Sequence, residues 1–403
     1  MQKYCLLGEK LGHSYSKIIH EKMGLNYSLR EVQREDIPLF LEEEYVGFNI
    51  TTPYKKEIIP YLHFVDDVAK EIQSVNTVVK KDGKMYGYTT DLFGMEVAFA
   101  HNNVKIAGKT VMILGTGGTK NVAYALAKKH NAKQILVVGR KGEINYSNCY
   151  DYKDTQIIIN ATPIGTYPNE DGKIIDLERF ENLEFVFDCN YNPLSTQLVL
   201  KAKSLGKKGE GGLMMLVAQA LKSEEIWTEK EYCQEDCIRI YKEIVKEKRN
   251  IVLMGMAGCG KSTIAKILSQ KLNMPFIDTD EEVVNICGKT PKELIESFGE
   301  PYFRDIEEQA VKKAALNRGY IIALGGGAIL REQNRDRLKR NGLVIYLNRD
   351  VEKLVDDDRP ISKKVGIKEL FESRKAMYES FCDYKVDNNG KVEDTVKKIV
   401  ELI

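Results

Sequence analysis

Short β-branched apolar runs recur along this chain, each followed by a longer stretch in which apolar positions return every three or four residues. The runs predict strands at residues 4–7, 46–50, 111–114, 135–138, 157–159 and 185–188 in the first half. In the second half they predict strands at 251–254, 321–324 and 344–347. Strands alternating with amphipathic helices imply an α/β architecture with largely parallel sheets, because a parallel pair needs a crossover that a helix can supply. Two of the strand-to-helix units, 109–128 and 250–272, are rich in glycine at the turn. Such a turn places backbone N–H groups and the positive end of a helix dipole together, so two phosphate-bearing nucleotides are implied. Between the units, residues 223–249 form a charged, helical-looking bridge, and the boundary is expected near Lys248.

Length and composition narrow the class. A chain of 403 residues exceeds what one core usually serves, so two or three domains are expected. A formal net charge of +1 gives no electrostatic case for nucleic acid or an anionic membrane, which leaves small molecules as the expected partners. No apolar stretch is long enough to span a bilayer and the first residues lack a leader pattern, so a cytoplasmic location is the default expectation. The eight cysteines are scattered, and the one close pair, Cys233 and Cys237, lacks a second ligand pair; reduced thiols follow.

Residues 255–262, Gly-Met-Ala-Gly-Cys-Gly-Lys-Ser, match G-x-x-x-x-G-K-[ST] directly between a strand and a helix. Amides around Gly258, Cys259, Gly260 and Thr263 would cradle phosphate oxygens of ATP. Lys261 would bring its charge to the β/γ-phosphates and Ser262 a hydroxyl to Mg²⁺. Further clusters follow: Phe276-Ile-Asp278-Thr-Asp280, Phe303-Arg304-Asp-Ile-Glu307, Leu324-Gly325-Gly326-Gly327, Asp358-Arg359-Pro360 and Arg374-Lys-Ala-Met-Tyr378. Together they resemble shikimate kinase over nearly all of residues 250–403. The resemblance implies that Arg304 and Arg374 hold the substrate carboxylate beside Gly326 and Gly327, a task suited to guanidinium forks. It further implies Asp280 facing the ring hydroxyls as a catalytic group, Asp278 in the magnesium shell, and Arg359 on a closing lid. Two features depart from the family: the stretch between Arg359 and Arg374 is short, and Glu352-Lys353 stand where relatives often carry an arginine near the adenosine.

In the first half, Val111-Met-Ile-Leu-Gly115-Thr-Gly117-Gly118 runs into a helix, a variant of the dinucleotide fingerprint because Lys120 takes the third glycine position. The next strand ends at Gly139-Arg140-Lys141, where a basic pair suits the 2′-phosphate of NADP rather than the bare ribose of NAD. Around this unit lie Ser14-Tyr-Ser16, Asn49-Ile-Thr51-Thr-Pro53-Tyr-Lys55, Val75-Asn76-Thr77, Thr89-Thr90-Asp91, Asn160-Ala-Thr162, Asp188-Cys-Asn-Tyr191 and Gly212 to Gln219. The series resembles shikimate dehydrogenase over residues 1 to about 230, most specifically through N-x-T-x-P-x-K. It implies Ser14 and Ser16 on the carboxylate, Asn49, Thr51, Asn76 and Gln219 on ring hydroxyls, and Lys55 with Asp91 as the catalytic pair. Thr162, Tyr191 and Gly212 would border the NADPH. Here too there are departures: Lys17 replaces a usual proline, and Thr89-Thr90-Asp91 replaces N-T-D.

The expected organisation is a substrate-binding α/β domain at 1–98 completed by a helix at about 212–232 and a Rossmann-like NADP domain at 99–211. A helical linker at 233–249 and a P-loop kinase domain at 250–403 follow. The expected function is NADPH-dependent reduction of 3-dehydroshikimate to shikimate, then ATP-dependent phosphorylation of shikimate, by a monomer or a homo-oligomer. Two rivals stand beside it: a quinate-type NAD dehydrogenase fused to another small-molecule kinase, and a shikimate-sensing regulator with degenerate sites. The retained Lys55, Asp91, Lys261, Ser262 and Arg359, and the lack of a basic DNA-binding arm, weigh against the second rival.

Overall fold

The computed structural model describes residues 2–12, 14–354 and 366–403. The chain divides into two compact units, residues 1–244 and 245–403.

The first unit holds two sheets. Strands β1 (Tyr4–Gly8), β2 (Tyr27–Glu31), β3 (Gly47–Ile50), β4 (Phe64–Val65), β5 (Thr77–Lys81) and β6 (Lys84–Tyr88) form a six-stranded sheet in the order β2-β1-β3-β5-β6-β4. β1 runs parallel to β2 and β3, but β5 is antiparallel to both β3 and β6, so this sheet is mixed. The reversal is local: Asp82 and Gly83 both take positive φ, the backbone a tight hairpin turn demands. Cys5, Leu7, Phe48, Ile50, Tyr54 and Val78 fill one core against this sheet.

Strands β7 (Thr110–Leu114), β8 (Gln134–Val138), β9 (Ile157–Asn160), β10 (Phe185–Asp188) and β11 (Lys208–Gly211) form an all-parallel sheet in the order β11-β10-β9-β7-β8. The fully buried runs in β7, β9 and β10 explain their continuous apolar sequence, since a parallel sheet is covered on both faces. The helix Leu213–Thr228 leaves this sheet and returns to the first one. It packs on helix Asp91–His101, where Gly94 lets the backbones close up, and Trp227 donates to the Val78 carbonyl at 2.9 Å. Helix Gln234–Lys248 follows, burying Cys237, Ile240 and Ile244.

The second unit is one parallel sheet of β12 (Asn250–Met254), β13 (Phe276–Asp278), β14 (Ile321–Ala323), β15 (Gly342–Asn348) and β16 (Tyr384–Asp387), in the order β13-β14-β12-β15-β16. Its core joins Ile251–Met254, Ile321–Leu324 and Val344–Leu347 to the buried faces of the flanking helices. β12 sits at the centre, so the loops after β12, β13 and β14 open at one edge, the usual place for a ligand in an open α/β sheet. Every strand expected from the apolar runs is present close to its expected bounds. The strands that the pattern did not announce are β2, β4, β5, β6, β11, β13 and β16. No described helix is long and apolar enough to cross a membrane.

Candidate active sites

Lys55 lies in the turn after β3, and Asp91 opens the helix Asp91–His101. Their side chains meet at 2.6 Å, Lys55 Nζ donating to Asp91 Oδ2, and both are largely shielded from solvent. Asp91 Oδ1 accepts from Asn76 Nδ2 at 3.0 Å, and the same amide reaches Gln219 Oε1 at 3.1 Å and Thr90 Oγ1 at 2.9 Å. The backbone N–H of Thr90 returns a bond to Asn76 Oδ1 at 2.8 Å. The carboxylate is thus held on one oxygen by an ammonium and on the other by a neutral amide, which fixes both groups for work on a ligand beside them.

Asn49 is placed differently from expectation. It is 4% exposed, its Oδ1 accepts from Tyr27 and faces His20, and its Nδ2 donates to Ser223, Thr77 and the Asn76 carbonyl. No hydrogen-bonding capacity is left for a substrate hydroxyl. Asn49 therefore stands one layer behind Asn76, its amide bonded within the core. Thr51 is half-buried just past β3, its N–H bonded to the Leu7 carbonyl.

Ser16 begins the helix Ser16–Lys22 and donates its backbone N–H to Ser14 Oγ at 3.2 Å. The Tyr191 hydroxyl bonds to the Ser14 side chain and the Tyr15 backbone, and burial raises its pKa. The Tyr191 and Tyr15 rings lie 5.2 Å apart. Two residues before Tyr191, in the loop after β10, the Cys189 thiol is half-buried, and desolvation, then the Asp188 and Asp91 charges, raise its pKa while Lys55 opposes them. That loop is braced by Asp188, which accepts from Thr196 at 2.6 Å, Asn160 at 3.1 Å and the Asn190 N–H at 3.0 Å. Burial pushes the Asp188 carboxyl up to about 6.

The glycine turn after β7 has the form a pyrophosphate needs. Gly115 takes φ of +108° against Thr162 and Ala161, while a Cβ on Gly117 or Gly118 would meet nothing within 4 Å. Open space thus lies over the first amides of helix Gly118–Lys129. Arg140 and Lys141 follow β8 and are exposed, and Thr162 is fixed by Asn160 at 2.7 Å. Gly212 closes on Cys189, whose carbonyl would lie 2.2 Å from a Cβ there.

In the second unit the P-loop joins β12 to helix Lys261–Leu272, with Gly255, Gly258 and Gly260 all at positive φ. Lys261 is buried and bends back onto the Gly255 and Met256 carbonyls at 3.0 and 2.9 Å. Ser262 donates to Asp278 Oδ2, and Asp278 Oδ1 caps the next helix at the Asp280 N–H. A hydroxyl and a carboxylate side by side are the hard oxygen donors that Mg²⁺ takes. Asp280 is exposed and borders Gly325, as does Glu307. Arg304 spans Glu307 and Glu300, each at 2.7 Å, and lies flat against Gly327. Arg374 Nη1 and the Tyr378 hydroxyl both donate to the Gly326 carbonyl, at 3.1 and 2.5 Å. Gly326 itself borders the Ala257 amide of the P-loop. Both arginines therefore gather at one glycine loop beside the phosphate cradle. Arg359 lies outside the described residues.

Sequence reasoning gave no role to Glu307, Thr90, Ser223 or Tyr378. Glu307 was legible in one respect: it sits three residues after Arg304 on a helix, the spacing at which opposite charges pair. Burial raises its pKa, and the neighbouring Arg304 opposes that.

Residues 6–78 match the family model of the shikimate dehydrogenase substrate binding domain, and residues 257–403 match that of shikimate kinase. The shikimate dehydrogenase (NADP(+)) of Clostridium beijerinckii is 36% identical over 258 residues, spanning 59% of this chain and 94% of that one. Among solved structures, shikimate dehydrogenase 1 of Peptoclostridium difficile is 35% identical with a TM-score of 0.56, covering 60% of this chain and 97% of that chain. A chorismate mutase/shikimate 5-dehydrogenase fusion protein of Clostridium acetobutylicum is 33% identical with a TM-score of 0.58, covering 60% and 96%.

Proposed function

We propose, from the premise that this chain belongs to the shikimate dehydrogenase family and ends in a shikimate kinase domain, that it performs two successive reactions on one carboxylated ring. Residues 1 to about 248 reduce 3-dehydroshikimate with NADPH, and residues about 249 to 403 phosphorylate the resulting shikimate with ATP. The product of the first reaction is the substrate of the second.

The observation that carries the first reading is the 2.6 Å Lys55–Asp91 pair with Asn76 on its other oxygen. NADPH supplies the hydride. Arrival of that hydride leaves negative charge on the ketone oxygen, and the Lys55 ammonium stabilises it and provides the proton, oriented by Asp91. Asn76 and Gln219 offer amide groups to the ring hydroxyls, and Ser14 and Ser16 hydroxyls to the carboxylate. The open face of Gly117 and Gly118 suits the cofactor's pyrophosphate, Tyr191 and Gly212 its nicotinamide side, and Arg140 and Lys141 the 2′-phosphate that separates NADP from NAD.

In the kinase half, Arg304 and Arg374 take the shikimate carboxylate and Asp280 orients the attacking hydroxyl. Lys261 swings from the loop carbonyls to the phosphates, and the Arg359 guanidinium would add charge there. Ser262 and Asp278 would hold Mg²⁺, which when bound would supply charge neutralisation to the transferring phosphoryl group. Eight free thiols suit the reducing cytoplasm in which both nucleotides are abundant.

The test uses the purified full chain with 3-dehydroshikimate, NADPH and MgATP. NADPH loss followed by ADP release is expected. Lys55→Ala abolishes the first and spares the second when shikimate is supplied, and Lys261→Ala does the reverse. A protein that binds shikimate but turns over neither substrate would refute the reading.

A further inference from the structure

Behind the Lys55–Asp91 pair lies a second layer of polar groups sealed from solvent. His20 and Glu224 are each 0% exposed, 204 residues apart in sequence, with His20 Nδ1 3.0 Å from Glu224 Oε1. The other Glu224 oxygen accepts from the Tyr232 hydroxyl at 2.6 Å. His20 Nε2 lies 3.1 Å from Asn49 Oδ1, and the imidazole stacks on Tyr27 at 4.1 Å. Two charged-type residues fully buried in a domain core are costly unless they serve one another and a further partner.

The direction of the bonds around Asn49 is decided by chemistry. The Asn76 carbonyl only accepts, so the Asn49 atom 3.1 Å from it is the amide nitrogen, and the atom facing His20 is the amide oxygen. His20 Nε2 must then donate. On the other side of the ring, Nδ1 faces a carboxylate, so one proton is held between Nδ1 and Oε1 whichever of the two carries it. Glu224 therefore locks His20 as an Nε2–H donor, the same service a carboxylate performs for a histidine in a metal or catalytic triad. With its oxygen pinned by His20 and Tyr27, Asn49 cannot turn over. Its nitrogen stays on Asn76 O, Ser223 Oγ and Thr77 Oγ1. Ser223 and Thr77 meet at 2.7 Å, and Thr77 donates to Asn76 Oδ1 at 3.1 Å. The Asn76 amide itself is oriented by the Thr90 backbone N–H on its oxygen and by Asp91 on its nitrogen, so what Asn49 holds is the Asn76 backbone carbonyl and the hydroxyls behind it.

We propose that His20 and Glu224 are positioning residues for the dehydrogenase: through Asn49, whose amide donates to the Asn76 backbone carbonyl, they hold the segment that carries Asn76 in place against Asp91 and the substrate. The proposal rests on the dehydrogenase reading above. Neither residue touches the reacting atoms, so their effect appears in turnover rather than in the presence of the fold.

The experiment measures kcat and KM for NADP-linked shikimate oxidation in the full chain, with the kinase activity of the same preparation as a control for intact protein. His20→Phe keeps a ring on Tyr27 but removes the donor; kcat is expected to fall about tenfold, the effect of one misdirected buried hydrogen bond, with KM for NADP unchanged. Glu224→Gln can donate to Nδ1 and still accept from Tyr232, so it preserves the Nε2–H form and is expected to hold kcat within about threefold. Glu224→Leu cannot do so and should match His20→Phe, carrying the contrast on its own if the histidine variant fails to fold. Wild-type turnover in His20→Phe, or equal losses in Glu224→Gln and Glu224→Leu, would overturn the proposal. A parent protein without dehydrogenase activity would instead overturn the functional reading on which it rests.

Discussion

A single methyl group at Gly327 tests the kinase site most directly. The backbone there, φ of −108° and ψ of 0°, accepts alanine without strain, so the substitution acts only through space. The new Cβ would stand 2.3 Å from Arg304 Nη1 and 2.5 Å from Nη2. Ordinary contact needs a retreat of the guanidinium by about 1 Å. The guanidinium cannot move that far and keep its two 2.7 Å bonds to Glu300 and Glu307. Each charge-assisted bond is worth roughly 1.5–3 kcal/mol, so misplacing the fork should cost the carboxylate about 10- to 100-fold in affinity. Because the tip of an arginine can yield, the unit still folds. Gly327→Ala is thus expected to raise the KM for shikimate about 10- to 100-fold in an ADP-release assay, with kcat less affected, since Lys261 and Ser262 are not disturbed. The dehydrogenase, which binds shikimate with other residues, keeps its own KM for shikimate in the same protein. A kinase KM within twofold of the parent would refute the placement of Arg304 on the substrate.

Other expected outcomes follow from particular atoms. Gly212→Ala sets a Cβ 2.2 Å from the Cys189 carbonyl, which is backbone and cannot yield cheaply; unit 1 should lose about 1–3 kcal/mol, read as a drop of several degrees in its calorimetric transition. An unchanged transition would contradict the close approach. Asp188 has a folded pKa raised to about 6 from 3.8, so the native state holds its proton more tightly, and stability from this group is present at low pH and lost as pH rises through that window. Asp188→Asn removes that dependence: relative to the parent, its stability should improve by up to about 3 kcal/mol between pH 4 and 7, measured by denaturant unfolding. A difference that stays flat with pH would count against it. Ser262→Ala takes one oxygen from the pair with Asp278, so half-maximal kinase rate should require several-fold more Mg²⁺, and an unaltered Mg²⁺ titration would remove Ser262 from the metal site.

Chemistry that is local in sequence was readable from it, and chemistry assembled by tertiary contact was not. The central strands β7, β9, β10, β12 and β15 are buried along nearly all their length and therefore read as apolar runs. β5 and β6 carry exposed lysines on a hairpin turning at Asp82-Gly83, and their mixed apolar and polar sequence did not announce them. Lys55, Asp91, Lys261 and the arginines stand in motifs of fixed spacing. Asn49 shares such a motif with Lys55, yet a motif does not say which of its members face the ligand. Its burial follows from Tyr27, His20 and Ser223, contributed by distant parts of the chain. Glu224 had no local signal at all, because its partner is 204 residues away.

The variant glycine fingerprint after β7 shows why departure from a pattern need not remove its chemistry. In the strict form, the first glycine makes the turn, the second admits the pyrophosphate, and the third lets helix and strand pack. Gly115 meets the first need with φ of +108°, which a residue with a Cβ could not adopt beside Thr162 at a projected 2.7 Å. Gly117 meets the second, with nothing within 4 Å of where its Cβ would stand. The third position is Lys120, and here it is only half-buried, so the helix leaves room for a side chain where other folds of this kind have none. Packing of this helix falls instead to Val122, Ala123, Leu126 and Ala127. Phosphate recognition depends on the amides at the first two positions, and the substitution at the third leaves those untouched.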